Sequence, residues 1–144
     1  VQTFITQKLS PFCTSPLFST PTTVYKTQNV QHLYSKISGT LCENVSESQI
    51  LNALHPTPAL CGLPREQAFN WIRKNEPFSR DLYGGIIGWS TENASDQIVA
   101  IRSCLIDGAT VYLYTGAGIV SGSNPEMEWE ELNAKMQLYK DIFL

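Results

Sequence analysis

Three polar side chains near the C-terminal end of the sequence have types and a spacing that could do chemistry. Glu128, Glu131 and Lys135 stand at i, i+3 and i+7, so at about 100° per residue they would form one line along a helix. Two carboxylates at a helix start can hold a hard divalent cation, and a lysine one turn further can meet an anionic group. Acids that complement the helix dipole, with an ordinary Glu131–Lys135 pair, explain the same pattern. The pattern alone leaves both interpretations open.

Two further features could bind an anion. Arg102 is a single charge in the otherwise apolar run 97–106, where an unpaired buried charge would cost several kcal/mol. It must therefore face solvent, a partner or an anionic ligand. Gly116 and Gly118 could present bare backbone N–H groups to an anion, although a turn that ends a strand explains the same two glycines.

The elements that must position these residues follow from the apolar periodicity. Asn124-Pro125 predicts the start of a helix over 125–141, with an apolar stripe from Trp129 to Phe143. Strands are expected over 82–90, 97–106 and 110–118. The dipeptide Asp107-Gly108 marks the turn of an antiparallel hairpin within 97–115.

The N-terminal half reads as short helices joined by irregular chain. Apolar spacing predicts helices over 1–12, 47–54 and 64–75, and Ser46-x-x-Gln49 forms a capping box before the second. Residues 10–27, rich in Ser, Thr and Pro, are expected to be a surface connection that leads to a short segment over 30–33.

Composition excludes several classes of protein. The 144 residues are 42% hydrophobic and carry a net charge of −3 without a basic run. Such a chain can bury a core but lacks the electrostatic footprint for nucleic acid or an anionic membrane surface. No apolar stretch approaches the roughly 18 residues that span a bilayer, and the four cysteines lack the spacing of a zinc site. A soluble, cytoplasmic protein with reduced thiols is expected.

Several sequence blocks, in order and in register, resemble the C-terminal part of the chorismate-utilising enzymes, and most closely the isochorismate synthases. The blocks are VQHL (30–33), HPTPALCGLP (55–64), EPFSRDLYGGIIGW (76–89), AIRS (100–103) and TGAGIVSGSNPEMEWEELNAK (115–135). The resemblance is strong over residues 30–140 and loose over 1–29. It implies an α/β (α+β) fold with antiparallel strands packed against helices, in which residues 1–144 form the C-terminal portion of a single chorismate-binding catalytic domain.

The resemblance implies a metal cofactor and an active-site histidine. In this family an Mg²⁺ ion lies between the ring carboxylate of the substrate and glutamates. Glu131 matches a direct ligand of that ion, and Glu128 matches one that acts nearby or through water. His32 matches a histidine of the active site.

The resemblance also implies which residues hold chorismate. Lys135, Arg102 and Tyr83 match side chains that bind the carboxylates of the substrate. Gly116 and Gly118 belong to the backbone that approaches the pyruvyl carboxylate. A dianionic substrate needs cations and bare N–H groups in one cleft, so these residue types suit it.

Residue 59 bears on which reaction the family resemblance implies. Relatives that expel pyruvate, such as salicylate and anthranilate synthases, usually carry a hydroxyl residue where this chain has Ala59. The pair Ala59-Leu60 is similar to isochorismate synthases, which add water at C2 of chorismate and remove the C4 hydroxyl. Salicylate synthase, another chorismate-utilising enzyme and a truncated non-catalytic module are the alternatives. The onward route of the product stays open among menaquinone, a catecholate siderophore and salicylate.

The catalytic set implied by the resemblance is incomplete in this chain. The general-base lysine, the general-acid glutamate and another metal-binding glutamate of the family lie upstream of the matched region. Val1 also falls inside a helical pattern, which suggests a longer polypeptide. The chain is therefore expected to be inactive alone, with the N-terminal half of the same protein docking on an exposed sheet edge or apolar face.

Overall fold

A computed structural model describes residues 1–26 and 31–143 of the chain. These residues form two compact units, residues 1–26 with 31–75 and residues 76–143. All of the strand pairs in the described ranges are antiparallel, and helices accompany them in both units. The predicted mixture of helices and antiparallel strands is therefore confirmed. Among the same residues, no helix has the length and apolar character needed to cross a membrane.

The first unit combines four short helices with two small sheets. The α1 helix continues into a 3-10 turn (Ser10–Phe12), and the strands pair β1 with β4 and β2 with β3. The elements are α1 (Gln2–Leu9), β1 (Phe18–Ser19), β2 (Thr23–Lys26), β3 (Gln31–Tyr34), β4 (Ile37–Ser38), α2 (Glu47–Leu54), α3 (Pro58–Cys61) and α4 (Arg65–Asn75).

The prediction that residues 10–27 form an irregular connection is wrong in part. The structure places β1 and β2 within that range, and the segment expected over 30–33 contributes to β3. Val30, the first residue of that segment, lies outside the described residues. All four residues of β2 are exposed, so the strand has no alternating buried face that local periodicity could reveal. Its pairing with β3 organises it instead.

Local sequence signals correctly predict α2 and α4. The Ser46 backbone N–H donates to Gln49 Oε1 at 2.8 Å, while the Gln49 backbone N–H donates to Ser46 Oγ at 3.4 Å, so the capping box is formed. The α4 helix begins at Arg65, directly after Pro64, as a proline at a helix start predicts. The one-turn helix α3 lies between them and is not indicated by the sequence pattern.

The second unit consists of two hairpins and a long helix. Strand β5 pairs with β6 and β7 pairs with β8, and α5 packs against β8. The elements are β5 (Ile86–Ser90), β6 (Ser95–Val99), β7 (Ser103–Asp107), β8 (Thr110–Tyr114) and α5 (Pro125–Phe143). The predicted hairpin turn at Asp107-Gly108 is confirmed, because Asp107 pairs with Thr110 and Gly108 adopts a φ of 58°.

The predicted single strand over 97–106 is wrong, because the chain turns at residues 100–102 and the two halves enter different hairpins. Ala100 is 6% exposed and bonds to the segment before β5. Its N–H donates to the Gly85 carbonyl at 2.8 Å, and its carbonyl accepts from the Gly84 N–H at 2.7 Å. Arg102 then adopts a φ of 50°. The strands predicted over 82–90 and 110–118 are also shorter than expected, since β5 covers only Ile86–Ser90 and β8 only Thr110–Tyr114.

Helix α5 begins as its sequence predicts, but its apolar stripe is only partly covered. Asn124 Oδ1 accepts from the Met127 backbone N–H at 3.0 Å and caps the helix. The middle of the stripe is half-buried. Near its ends Trp129 is 62% exposed and Phe143 is 42% exposed, so the apolar stripe predicted for this helix is open to solvent at both ends. Exposed apolar side chains also occur on the β5–β6 hairpin, where Trp89 is 54% exposed.

Candidate functional site

Lys135 extends from α5 to the segment that follows β8. Its ammonium donates to the Gly116 carbonyl at 2.9 Å and pairs with Glu131 Oε1 at 2.5 Å. The Lys135 side chain is 16% exposed, whereas that of Glu131 is 55% exposed. The expected i,i+4 pair is therefore present. The same lysine also connects α5 to residues 116–118, the predicted glycine turn after β8. A lysine ammonium beside a glycine backbone is well placed to meet an anion.

The two glycines of the predicted anion-binding turn differ in their surroundings. A Cβ at residue 116 would lie 2.5 Å from the hydroxyl oxygen of Tyr83, a distance that real side chains do not show. A Cβ at residue 118 would meet nothing within 4 Å. The close approach of Tyr83 therefore requires glycine at 116, while the backbone at Gly118 borders open space.

Tyr83 is held against a second tyrosine at the end of β8. The rings of Tyr83 and Tyr114 are stacked, with centroids 5.9 Å apart and planes 15° from parallel. Burial raises the pKa of the Tyr83 hydroxyl, with Arg80 lowering it and Glu76 raising it. A raised pKa keeps this hydroxyl protonated at neutral pH, so it remains a hydrogen-bond donor.

An ion pair that the sequence patterns did not single out lies close to Tyr83. Arg80 Nε donates to Glu76 Oε2 at 2.7 Å, and Arg80 Nη2 donates to Glu76 Oε1 at 2.5 Å. The two bonds form the bidentate geometry that arginine and carboxylate favour. The acid-to-base spacing of four residues was the available sequence signal for this pair.

Arg102 occupies the break between β6 and β7 rather than the interior of a strand. Its φ of 50° is in the left-handed region, which arginine adopts rarely and which directs the side chain differently from a strand position. Burial and Cys104 raise the pKa of the Tyr139 hydroxyl on α5, whereas the charge of Arg102 lowers it. Unusual backbone geometry of this kind is concentrated at functional sites.

The carboxylates on α5 suit a cation site that is completed by oxygens of water and substrate, rather than one built from protein ligands alone. Glu128 is half-buried, and its i,i+3 relation to Glu131 places both on one side of the helix. Within residues 1–26 and 31–143, no three His, Cys, Asp or Glu side chains gather to hold a metal. Mg²⁺ usually takes one or two carboxylates together with oxygens of water and substrate. The two glutamates fit that mode of binding.

A buried hydroxyl adjoins the glycine turn and was also not indicated by the sequence. Thr115 Oγ1 is inaccessible to solvent and lacks a hydrogen-bond partner among the described residues. Buried polar atoms without a partner are uncommon in folded proteins. Thr115 therefore marks the exit of β8 as a segment whose polar groups are incompletely satisfied.

His32 and Ala59 belong to the first unit. His32 is half-buried on β3, opposite Tyr25 of β2. Ala59 is exposed on α3, which is anchored by Cys61, a residue 5% exposed whose thiol donates to the Arg65 carbonyl at 3.5 Å. The second unit brings together Tyr83, Gly116, Lys135 and Glu131, and the roles of His32 and Ala59 stay predictions.

The sequence is similar to that of isochorismate synthases from plants and bacteria. The chain is 44% identical to the chloroplastic isochorismate synthase of Catharanthus roseus over 139 residues, covering 96% of this chain and 24% of that protein. It is 46% identical to isochorismate synthase MenF of Bacillus subtilis over 115 residues, 79% of this chain and 24% of the relative. The chain thus spans about a quarter of the length of these relatives.

Solved structures and a family match agree with this similarity. MenF from Escherichia coli superimposes with a TM-score of 0.90 at 37% identity, covering 100% of this chain and 33% of that one. DhbC from Bacillus anthracis superimposes with a TM-score of 0.88 at 38% identity, covering 94% of this chain and 36% of that one. Residues 1–143 match the family described as chorismate binding enzyme. Its sequence and its fold therefore both show that this chain is a member of the chorismate-binding enzyme family.

Proposed function

We propose that the chain is the C-terminal part of an Mg²⁺-dependent isochorismate synthase, which adds water at C2 of chorismate and removes the C4 hydroxyl. The observation that carries the proposal is the convergence of Lys135 and Tyr83 on Gly116, with Glu131 paired to the same lysine. The named relatives support the choice within the family. Isochorismate synthases reach 46% identity, while anthranilate synthase component 1 of Neisseria gonorrhoeae is 37% identical over 78% of this chain.

The cationic and N–H groups of the second unit would bind the two carboxylates of chorismate. Lys135 would exchange one of its present acceptors for a substrate carboxylate, and Arg102 would supply a second positive charge. The neutral Tyr83 hydroxyl can donate a hydrogen bond, and the open backbone at Gly118 allows close approach. Groups arranged in this way before the substrate arrives stabilise its charge without reorganising at the moment of reaction.

Glu131 and Glu128 would hold the Mg²⁺ ion together with the ring carboxylate of chorismate. When bound, the ion supplies positive charge that orients this carboxylate and offsets charge that develops on the ring. Glu131 is more than half exposed, so its carboxylate is accessible to an ion from solvent. Lys135 now pairs with that carboxylate, and its ammonium would be able to turn toward substrate when an ion is bound there instead.

The intact protein offers the direct test of the reaction. Incubation with chorismate and Mg²⁺ followed by chromatography is expected to yield isochorismate without pyruvate, with or without ammonia. Release of pyruvate with salicylate would assign salicylate synthase instead, and ammonia-dependent anthranilate would assign anthranilate synthase. A protein that leaves chorismate unchanged would support a non-catalytic module.

Residue 59 provides a sharper test of why the reaction stops at isochorismate. Ala59→Thr adds a hydroxyl where pyruvate-releasing relatives are expected to have one, and Ala59→Val adds the same bulk without it. Pyruvate released by the threonine variant alone, measured with lactate dehydrogenase, is the expected result. Equal pyruvate from both variants, or none from either, would remove residue 59 as the determinant.

The proton-transfer groups implied by the family resemblance lie outside this chain. We therefore expect residues 1–144 alone to leave chorismate unconverted, since binding groups without a general acid and base accelerate the reaction little. The comparison is made in the same assay between the isolated chain and the intact protein. Turnover by the isolated chain close to that of the intact protein would overturn this part of the proposal.

A further inference from the structure

Asp81 connects the turn that carries Tyr83 to the end of β8. Its Oδ2 accepts a hydrogen bond from the Tyr114 hydroxyl at 3.0 Å, and its Oδ1 accepts from Ser79 Oγ at 2.7 Å. Asp81 has a φ of 45°, a left-handed conformation that Asp, Asn and Gly adopt more readily than other residues. Asp81 therefore suits this position in two ways: its backbone tolerates the left-handed conformation, and its carboxylate accepts two hydrogen bonds.

Tyr114 links Asp81 to the candidate site. Its hydroxyl bonds to Asp81 while its ring stacks on Tyr83. Two residues after Tyr114 the chain reaches Gly116, against which the Tyr83 hydroxyl lies. The contact between Asp81 and Tyr114 thus sets the start of the Tyr83 turn against the same strand whose exit forms the glycine turn.

The far end of the Tyr83 turn is anchored independently of Asp81. The backbone groups of Gly84 and Gly85 bond to buried Ala100 at 2.7 and 2.8 Å. That end is fixed beside the end of β6. The Asp81 side chain holds the other end of the turn to β8 through its hydrogen bond with Tyr114. The hydrogen bond also raises the pKa of the Tyr114 hydroxyl, ahead of burial and of the charge of Asp81, so Tyr114 stays protonated and keeps donating.

We propose that Asp81 is a positioning residue, which acts through Tyr114 to hold the Tyr83 hydroxyl against Gly116. Asp81 itself is exposed and contacts the tyrosine pair from outside, so its effect on chorismate passes through Tyr83. The effect on chorismate rests on the proposed function, whereas the position of Tyr83 does not depend on it.

The test uses four variants of the intact protein. Asp81→Gly removes the carboxylate but accommodates the left-handed φ, and Tyr114→Phe removes only the hydroxyl. Asp81→Asn keeps an oxygen acceptor and tolerates the same φ, so it is the matched control. We expect the glycine and phenylalanine variants to raise the KM for chorismate about tenfold with little change in kcat, and the asparagine variant to stay within about twofold of wild type.

The double variant Asp81→Gly with Tyr114→Phe separates one shared contact from two independent effects. Because both substitutions break the same hydrogen bond, the double variant is expected to resemble either single variant. Multiplied effects, unchanged KM in the single variants, or failure of asparagine to restore KM would each overturn the proposal. A parallel loss of kcat and thermal stability would also overturn it, since that pattern indicates general disruption.

A substrate-free measurement distinguishes failure of this inference from failure of the proposed function. The ¹³C-tyrosine NMR signal of Tyr83, assigned by its loss in Tyr83→Phe, is expected to move in Asp81→Gly and Tyr114→Phe and to return toward wild type in Asp81→Asn. A Tyr83 signal that stays in place in all three variants overturns the positioning role, whatever the enzyme acts on. A moving signal in a protein that does not bind chorismate would uphold the positioning role and reject the proposed function.

Discussion

Helix α5 and the break at residues 100–102 both supply candidate site residues, but different interactions determine them. The α5 helix follows from its own sequence, with Asn124 as cap and apolar side chains at helical spacing. The break depends on Ala100 pairing with Gly84 and Gly85, about fifteen residues earlier in the chain. Side chains on α5 are therefore positioned by local structure, whereas Arg102 is positioned by the hydrogen bonds that Ala100 makes to Gly84 and Gly85.

The largest expected effect comes from Lys135, the side chain that joins α5 to the glycine turn after β8. Lys135→Met in the intact protein removes the ammonium that contacts Gly116 and Glu131. Loss of a positive charge that is proposed to bind a substrate carboxylate should lower kcat/KM by about a hundredfold or more. Lys140→Met, later on the same helix, is the control and should retain kcat/KM. Equal losses in the two variants would show that α5 matters only for folding.

The next largest effect concerns the glycine turn after β8. Gly116→Ala places a Cβ against the Tyr83 hydroxyl and should reduce the free energy of unfolding by about 2 kcal/mol. Gly118→Ala, which meets no neighbour, should leave that free energy nearly unchanged. Adding Tyr83→Phe to Gly116→Ala should recover part of the loss. Thermal unfolding of the intact protein measures all three, and equal stability of the two alanine variants would contradict the close approach of Tyr83.

The carboxylates of Glu128 and Glu131, the acidic ridge of α5, are expected to govern the metal requirement. Glu131→Gln should raise the Mg²⁺ concentration needed for half-maximal activity by at least about tenfold, because the amide is a weaker ligand for a hard cation. Glu130→Gln, one residue earlier and on another side of the helix, should not change it. The comparison uses rates at saturating chorismate over a series of Mg²⁺ concentrations. An unchanged requirement in Glu131→Gln would remove this residue from the metal site.

The strand break can be examined with two substitutions that remove the same charge. Arg102→Gly and Arg102→Ala both delete the guanidinium, but only glycine adopts a φ of 50° without steric cost. The glycine variant should be more stable than the alanine variant by about 1 kcal/mol, while both lose affinity for chorismate. Chemical denaturation and calorimetric titration provide the two measurements. Equal stability of the variants would mean that the left-handed conformation does not control this segment.

The smallest effect is expected in the first unit, where His55 ends the locally determined helix α2. Burial and then Arg65 lower the pKa of His55 from 6.5. The unfolded chain therefore binds the proton more readily, so this contribution to stability is complete above about pH 6.5 and declines as the pH falls toward the lowered pKa. His55→Gln should make the melting temperature less sensitive to pH between 7.5 and 5. An identical pH dependence in the variant would contradict the assignment.

The success of the predictions follows the same division between local and distant interactions. The starts of α2 and α5 and the Glu131–Lys135 pair were predicted because each depends on residues within one helical turn. The β-branched run 97–106 contains no sequence signal for its break. The break depends on hydrogen bonds between Ala100 and the distant residues Gly84 and Gly85.

The candidate site itself required more than periodicity. Spacing placed Glu128, Glu131 and Lys135 in one line, but family resemblance was needed to associate Tyr83 and Gly116 with them. The contacts of Lys135 and Tyr83 with Gly116 connect segments far apart in sequence. Distant contacts of this kind depend on how hairpin and helix pack, which residue spacing does not encode.

The association of an acidic ridge, a lysine and a glycine turn with chorismate is tested most directly by a crystal structure of the intact protein with chorismate and Mg²⁺. We predict a substrate carboxylate within hydrogen-bonding distance of Lys135 Nζ and the glycine turn, Arg102 near the bound molecule, and Mg²⁺ between Glu131 and the ring carboxylate. Chorismate bound at a different surface, with Lys135 still engaged by Gly116 and Glu131, would contradict the assignment.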